Sequence, residues 1–254
     1  MTSLHRNDFC FEVCANGVES CIAAEEGGAD RVELCAGIPE GGTTPSYGEI
    51  VVARKVLKNT RLHVIIRPRG GDFLYTPLEM ERMKEDIFIA RKLGADGVVF
   101  GCLTADGDVD LEQNRVLLDY AHGLSVTFHR AFDRCRDSLT ALEQIIGLGF
   151  DRILTSGQQP TAEIGIPLLS ELRIKAADRI AILAGSGVNE TNIRKIYEAT
   201  GIREYHFSAR ESQKSRMKYA NSSVYMGKQG MDEETLDYST NRRVKATIDA
   251  MLHI

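Results

Sequence analysis

Two cysteines, Cys14 and Cys35, each come at the end of a short run of β-branched and apolar residues. If the two runs form neighbouring strands, the thiols lie side by side at one end of a sheet. Soft thiolates select soft cations such as Cu(I). Cysteine is also among the residues most often fully buried in protein cores. The pair therefore predicts either a copper site or two buried packing residues.

A second set of residues could move protons. Four polar residues lie in or just after such runs, each on a strand face whose opposite face is apolar: Glu12, Glu33, Arg67 and His129. Buried acids are rare unless they are paired, so this set either pairs internally or forms a catalytic site. His129 titrates nearest neutrality and is either a general acid or base or a fixed partner of Glu12 or Glu33. Asp133, four residues later, completes the predicted catalytic set.

A third set predicts a binding site for an anion. The planar guanidinium of arginine suits carboxylate or phosphate groups. Glycine-rich turns after parallel strands also hold phosphate through backbone N–H groups. The predicted ligand-binding residues are Arg69, Arg130, Ser156, Gly157, Gly185, Gly187, Ser208 and Arg210. The alternatives to anion binding are structural: the arginines form salt bridges with Glu12 or Glu33, and the glycines serve tight turns that need positive φ.

The elements that would position these residues alternate regularly. The predicted strands are 9–14, 31–35, 62–67, 97–103, 125–130, 151–155, 179–184 and 204–208. The predicted helices are 20–27, 47–57, 78–93, 111–120, 139–148, 162–176, 190–199 and 242–252. Strands that alternate with helices favour a parallel sheet. Eight repeats in ~250 residues favour an α/β fold, a (β/α)₈ TIM-like barrel, with the predicted site at its C-terminal end.

Two features refine this prediction. One pattern recurs at 27–32, 94–98 and 149–153: a helix ends on glycine, alanine or phenylalanine follows, and an aspartate precedes the next strand. Glycine suits the left-handed conformation that commonly ends a helix. The polar stretch 211–240 is too long for a simple connection and predicts a lid or an interface arm, or else a disordered loop. We expect a single domain over 1–254 that is closed by a helix within 241–254.

Composition limits the function further. The chain has 254 residues, 43% apolar and 26% charged, with a formal net charge of −5, which excludes a disordered or fibrous protein. The acidic balance provides no basic surface for nucleic acid or an anionic membrane. No apolar run approaches the ~20 residues that span a bilayer, and the N-terminus lacks a signal sequence. We therefore predict a cytoplasmic protein whose cysteines are free thiols.

Longer motifs resemble the CutC family of copper homeostasis proteins, which is distinct from the choline lyase that shares the name. The matching segments are EVC (12–14), GADRVELC (28–35), EGGTTPS (40–46), IRPRGGDF (66–73), TFHRAFD (127–133), LTSG (154–157), GSGV (185–188), HFSAR (206–210) and NSSVYM (221–226). The resemblance implies a TIM-like barrel in the cytoplasm, commonly a homodimer. It also implies a role in copper handling, with Cys14 and Cys35 as the matching metal-binding positions.

Three functions remain open at this point. The first is a copper homeostasis protein that binds Cu(I) through Cys14 and Cys35. The second is a barrel enzyme of the lyase, aldolase or isomerase type acting on a small anionic, perhaps phosphorylated, metabolite. The prominence of Arg, His, Glu and Gly in the shared motifs favours this second function, because these residues bind Cu(I) poorly. The third is an oligomeric scaffold without chemistry.

Overall fold

The computed structural model describes residues 4–219, 221, 223–227, 230 and 232–252. Eight parallel strands pair in chain order and close into a barrel, which confirms the predicted (β/α)₈ fold. They are β1 (Cys10–Ala15), β2 (Arg31–Leu34), β3 (Arg61–Ile65), β4 (Gly97–Phe100), β5 (Ser125–Phe128), β6 (Arg152–Thr155), β7 (Ala181–Gly185) and β8 (Glu204–Phe207). Several strands end two or three residues before the predicted limit, so that Arg67 and His129 lie in the loops that follow.

Helices cover the outside of the barrel. Among the described residues they are α1 (Val18–Glu26), α2 (Tyr47–Val56), α3 (Pro77–Lys92), α4 (Leu111–Tyr120), α5 (Ser138–Leu148), α6 (Ile166–Ala176), α7 (Ile193–Thr200) and α8 (Asn241–Leu252). Outward strand residues such as Val13, Val32 and Leu62 are adjacent in register and fully buried beneath these helices. None of the described helices has both the length and the apolarity needed to cross a bilayer.

The recurring glycine–aspartate unit joins neighbouring strands. Its aspartate accepts the backbone N–H of the second residue of the preceding strand: Asp30 from Phe11 at 2.8 Å and Asp96 from Leu62 at 2.7 Å. Asp151 binds the N–H of Val126 in the same way at 2.7 Å. The glycines at 28, 94 and 149 have φ between 84° and 91°, as the predicted left-handed helix ends require. The repeat therefore fixes the N-terminal end of the barrel.

A cluster of buried charges fills the barrel below its mouth. Arg31, 1% exposed, donates from Nε to Glu12 at 2.5 Å and from Nη2 to Glu204 at 2.7 Å. Arg152 also forms an ion pair with Glu204, at 3.3 Å. A buried acid is tolerated when a charged partner compensates it, and Arg31 fulfils that role for Glu12. Glu12 is thus paired as a buried acid requires, but with Arg31 rather than with Arg67 or His129 of the predicted set.

The polar stretch after β8 contains regular structure that its sequence does not predict. β9 (Arg210–Lys214) and β10 (Thr235–Ser239) form a two-stranded antiparallel ribbon. Ser239 donates to the backbone oxygen of Ser208 at 2.7 Å, which attaches the ribbon to the barrel mouth. The predictions made for 1–3, for 253–254 and for positions 220, 222, 228, 229 and 231 lie outside the described residues.

Candidate functional site

A cavity of about 620 Å³ lies at the C-terminal ends of the strands. This volume is typical of sites for small molecules. Ten of the predicted site residues line it: Cys14, Glu33, Cys35, Arg67, His129, Arg130, Asp133, Gly187, Ser208 and Arg210. Five arginines and two carboxylates contribute to its wall, so the cavity is positively charged in a chain whose formal net charge is −5.

The two predicted metal-binding cysteines lie together on this wall. In the register of β1 and β2, Cys14 is opposite Glu33, so Cys35 follows on the same face two residues later. The Sγ atoms of Cys14 and Cys35 are 3.6 Å apart, and both thiols are free. Arg210 donates to the sulfur of Cys14 at 3.3 Å. Adjacent parallel strands thus produce the side-by-side thiols that the sequence predicts.

A chain of polar contacts connects Cys14 to the buried charges below it. The ring nitrogens of His206 lie 2.6 Å from a Glu12 oxygen and 3.7 Å from a Glu33 oxygen. Burial lowers the pKa of His206, but its hydrogen bonds with Cys14 and Glu12 outweigh burial and raise it well above its usual value. The imidazole is therefore positively charged at neutral pH and lies directly beneath the thiol pair.

The two thiols differ in acidity. The hydrogen bond from Cys35, helped by His206 and Arg210, lowers the pKa of Cys14 well below its usual value although burial opposes this. The neighbouring Cys14 sulfur and burial raise the pKa of Cys35. Burial also raises the pKa of Glu33, to about 8. These pKa shifts favour the thiolate form of Cys14 and the protonated forms of Cys35 and Glu33.

These residues fit a soft metal ion. One oxygen of Glu33 and the two sulfurs of Cys14 and Cys35 all lie within 4.8 Å of one another. The 3.6 Å between the two sulfurs is short enough for one metal ion to contact both. This is the one such group of three ligands within the described part of the chain. A structural zinc site takes four ligands, so this group is one too few for it. Two thiols favour Cu(I).

The wall formed by the loops after β3 and β5 has a different character. The guanidinium of Arg67 lies 5.0 Å from the ring centroid of Phe73, and the ring of His129 lies 4.9 Å from the same centroid. Arg67 donates to the backbone oxygens of Glu40, Gly42 and Gly71 at 2.7–2.9 Å. The salt bridge considered between Arg67 and Glu12 or Glu33 is absent from the described residues.

Two predicted site residues point away from the cavity. Glu12 lies one layer lower and binds Arg31 and His206. Arg69 pairs with Glu79 at 2.5 Å and with Asp72 at 2.9 Å, which anchors the loop after β3 to the start of α3. Both side chains have strong partners elsewhere, so neither reaches a ligand in the cavity directly.

The glycine-rich turns after β6 and β7 also depart from the expected cradle. Ser156 donates to Asp133 at 3.0 Å, and the Asp133 carboxylate also accepts the N–H of Ser156 at 3.1 Å. Gly157 donates its N–H to Thr155 at 2.9 Å. Gly185 lies within β7, where a Cβ atom would come 2.5 Å from Leu154. Of the predicted turn glycines, only Gly187 lines the cavity.

Sequence reasoning did not select His206 and Arg243 as site residues. The parity of β8 places His206 on the inner face with Ser208, and this signal was present in the sequence. Arg243 reaches the cavity from α8, where it pairs with Glu190 at 3.0 Å and donates to the backbone of Arg210 at 2.8 Å. Its position depends on how α8 packs, so no local sequence signal identifies it.

Comparison with known proteins supports one family. The model described as "CutC family" matches residues 9–211, which include every predicted site residue. A CutC family protein of Bacteroides fragilis is 65% identical over 245 residues, 96% of this chain and 98% of that protein. The human copper homeostasis protein cutC homolog is 49% identical over 221 residues, 87% of this chain and 81% of the homolog. The crystal structure of a CutC protein from Streptococcus agalactiae has a TM-score of 0.76 and 37% identity, covering 79% of this chain and 98% of that one.

Proposed function

The chain belongs to the CutC family, and from this premise we propose that it is a cytosolic copper homeostasis protein that binds Cu(I) through Cys14 and Cys35. The observation that carries the proposal is the 3.6 Å separation of two free thiols on the wall of a cavity. Soft thiolate ligands favour Cu(I) over the hard divalent cations. In this proposal copper is the cargo of the protein.

The surrounding charges support a defined order of binding. Cys14 is already a thiolate, stabilised by His206 and Arg210, and therefore contacts the ion first. Cys35 then loses its proton to complete the pair, because metal binding requires deprotonated ligands. The two thiolates add negative charge that the nearby arginine and imidazolium offset. Glu33, with one oxygen within 4.8 Å of both sulfurs, is the third candidate ligand and must also lose its proton to bind the ion.

An anaerobic Cu(I) titration against a competing chelator tests this proposal on the wild-type protein. We expect one Cu(I) per chain, held tightly enough to withstand millimolar thiols. In parallel, iodoacetamide labelling followed by peptide mass mapping should find Cys14 and Cys35 protected by copper. Cys10, half-buried and outside the cavity, is the internal control; burial raises its pKa, so it should label little both with and without copper. Loss of the copper to competing thiols, or labelling of Cys14 and Cys35 that copper leaves unchanged, would contradict the proposal.

We also propose that the chain is a homodimer and that the segment between β9 and β10 is the interface arm. This segment exposes apolar side chains, among them Tyr219 at 74% and Met226 at 89%. Clustered exposed apolar residues mark interaction surfaces. Light scattering should give a dimer mass for wild type and a monomer mass for Tyr219→Ser/Met226→Ser. Ile174→Ser, which changes a residue 73% exposed on α6, is the matched control and should remain dimeric. A dimeric arm variant would exclude the arm as the interface.

A second candidate function is a barrel enzyme, of the lyase, aldolase or isomerase type, that acts on a small anionic metabolite. One observation favours it: five arginines line the cavity, and among them Arg67 and Arg210 have no carboxylate partner within the described residues. A cleft lined by charges of one sign concentrates ligands of the opposite charge. A copper site made of two thiols does not require this charge. The test is whether an organic anion binds in the cavity.

A further inference from the structure

His129 lies on the cavity wall and has a buried ring nitrogen that no described residue pairs with. The residue is 3% exposed and lines the cavity, and its Nε2 atom has no hydrogen-bond partner in the described part of the chain. A buried polar atom without a partner costs free energy. Such an atom on a cavity wall indicates a missing acceptor.

The protonation of this ring follows from its other nitrogen. Nδ1 of His129 accepts the backbone N–H of Ala131 at 3.3 Å, so Nδ1 carries no proton. Burial, together with the charge of Arg67, lowers the pKa of His129 to about 3. The ring is therefore neutral at physiological pH, with its single proton on Nε2. His129 is a fixed, uncharged N–H donor, in contrast to the imidazolium of His206.

The surroundings of this donor define the chemistry of its acceptor. The guanidinium of Arg67 lies near the same Phe73 ring and its charge acts on His129, while its two terminal nitrogens are held by backbone oxygens. One imidazole N–H beside one guanidinium charge matches a carboxylate, whereas a phosphate dianion takes more donors. Phe73 and Leu154 provide apolar surface in the same cavity. An organic body is therefore favoured over an inorganic ion.

We propose that His129 binds a small organic carboxylate in this cavity, with a carboxylate oxygen accepting the Nε2–H beside the charge of Arg67 and the apolar part of the ligand against Phe73. The proposal deepens the second candidate function, on which it rests, by naming the ligand class and the donor that recognises it. It is independent of copper, because His129 belongs to the β3–β5 wall and the thiols to the β1–β2 wall.

Side-chain NMR of protein labelled with ¹⁵N-histidine tests this proposal in the wild type. The probes are pyruvate, benzoate and inorganic phosphate, and overall binding is measured in parallel by calorimetry. We expect saturable movement of the His129 Nε2–H signal with the two carboxylates and none with phosphate. His122, which lies outside this cavity, is the internal control and should not move. Binding without movement of the His129 signal would overturn this inference but leave a metabolite function standing. The absence of any binding would contradict both.

Two substitutions test whether His129 donates a hydrogen bond to the ligand or only supports the structure of the cavity wall. His129→Gln keeps an N–H donor near the position of Nε2, and we expect its carboxylate affinity within about fivefold of wild type. His129→Phe keeps a ring and removes the donor, and should lose at least about tenfold, as expected for a hydrogen bond to a charged group. Cu(I) affinity should remain at the wild-type value in both variants. Equal carboxylate binding by His129→Phe would overturn the proposal, and the wild-type spectra decide it if that variant fails to fold.

Discussion

The Cys14→Ser/Cys35→Ser double variant should lose Cu(I) affinity by more than about 100-fold. Loss of an outer partner of a metal ligand alone costs roughly 10–100-fold, so loss of both ligands costs more. Serine is the closest replacement in size, but its hydroxyl is hard and protonated at neutral pH, whereas Cu(I) prefers thiolate. The remaining candidate ligand, Glu33, is a carboxyl group with a pKa of about 8 and offers only oxygen. The anaerobic chelator competition described above measures this loss.

The matched control removes two other thiols. Cys10 and Cys135 lie outside the cavity, and burial raises their pKa values to about 12 and about 11. Both remain protonated thiols at neutral pH, so Cys10→Ser/Cys135→Ser should bind Cu(I) like wild type. Unchanged affinity in the Cys14→Ser/Cys35→Ser variant would exclude the proposed site. An equal loss in both double variants would indicate non-specific thiol binding.

Strand parity predicts which side chains face the barrel interior, but it does not predict their height along the barrel axis. Glu12 and Cys14 share a face, as expected, yet Cys14 reaches the cavity and Glu12 lies below it against Arg31. The stagger of the strands decides this, and stagger arises from closure of the whole barrel. Arg31 begins β2, next to the aspartate of the repeat, where the sequence alone does not distinguish a flanking residue from an interior one.

The thiol pair was predictable for a related reason. Neighbouring strands of a βαβ unit are parallel, so residues at their C-terminal ends meet regardless of exact register. Cys14 is near the C-terminal end of β1 and Cys35 directly follows β2, so the two are adjacent, with sulfurs 3.6 Å apart. The ribbon of β9 and β10 had no such local signal. Its segments RESQK and TLDYS lack a buried alternating face, and their pairing depends on contacts with the barrel mouth.

The thiol site depends on the buried charges beneath it. Arg31 holds Glu12, Glu12 accepts from His206, and His206 stabilises the Cys14 thiolate. Burial alone would favour the neutral form of Glu12, but the charge of Arg31 and the contacts of His206 hold the pKa of Glu12 below its usual range. A neutral Glu12 would remove the partner that keeps His206 charged. The acidity of Cys14 is therefore set in part by the Arg31 guanidinium, which reaches it through two intervening residues, Glu12 and His206.

The Arg31→Met variant should be destabilised by about 3–5 kcal/mol, because removal of one partner leaves buried charges uncompensated. Arg31 is 1% exposed and binds both Glu12 and Glu204, so its loss affects two carboxylates at once. At 1.36 kcal/mol per factor of ten, the loss lowers the folding equilibrium constant by roughly 10²–10³-fold or more. Urea unfolding followed by circular dichroism measures the free energy of unfolding and its denaturant dependence.

The same substitution at an exposed ion pair is the control. Arg179 donates to both oxygens of Glu143 at 2.7 Å, but the two side chains are 46% and 56% exposed and water screens their charges, so Arg179→Met should change the free energy of unfolding far less than Arg31→Met does. Adding Glu12→Gln to Arg31→Met removes one of the uncompensated charges and should recover part of the lost stability. If Arg31→Met is no more destabilising than Arg179→Met, the ion pairs of Arg31 do not stabilise the fold.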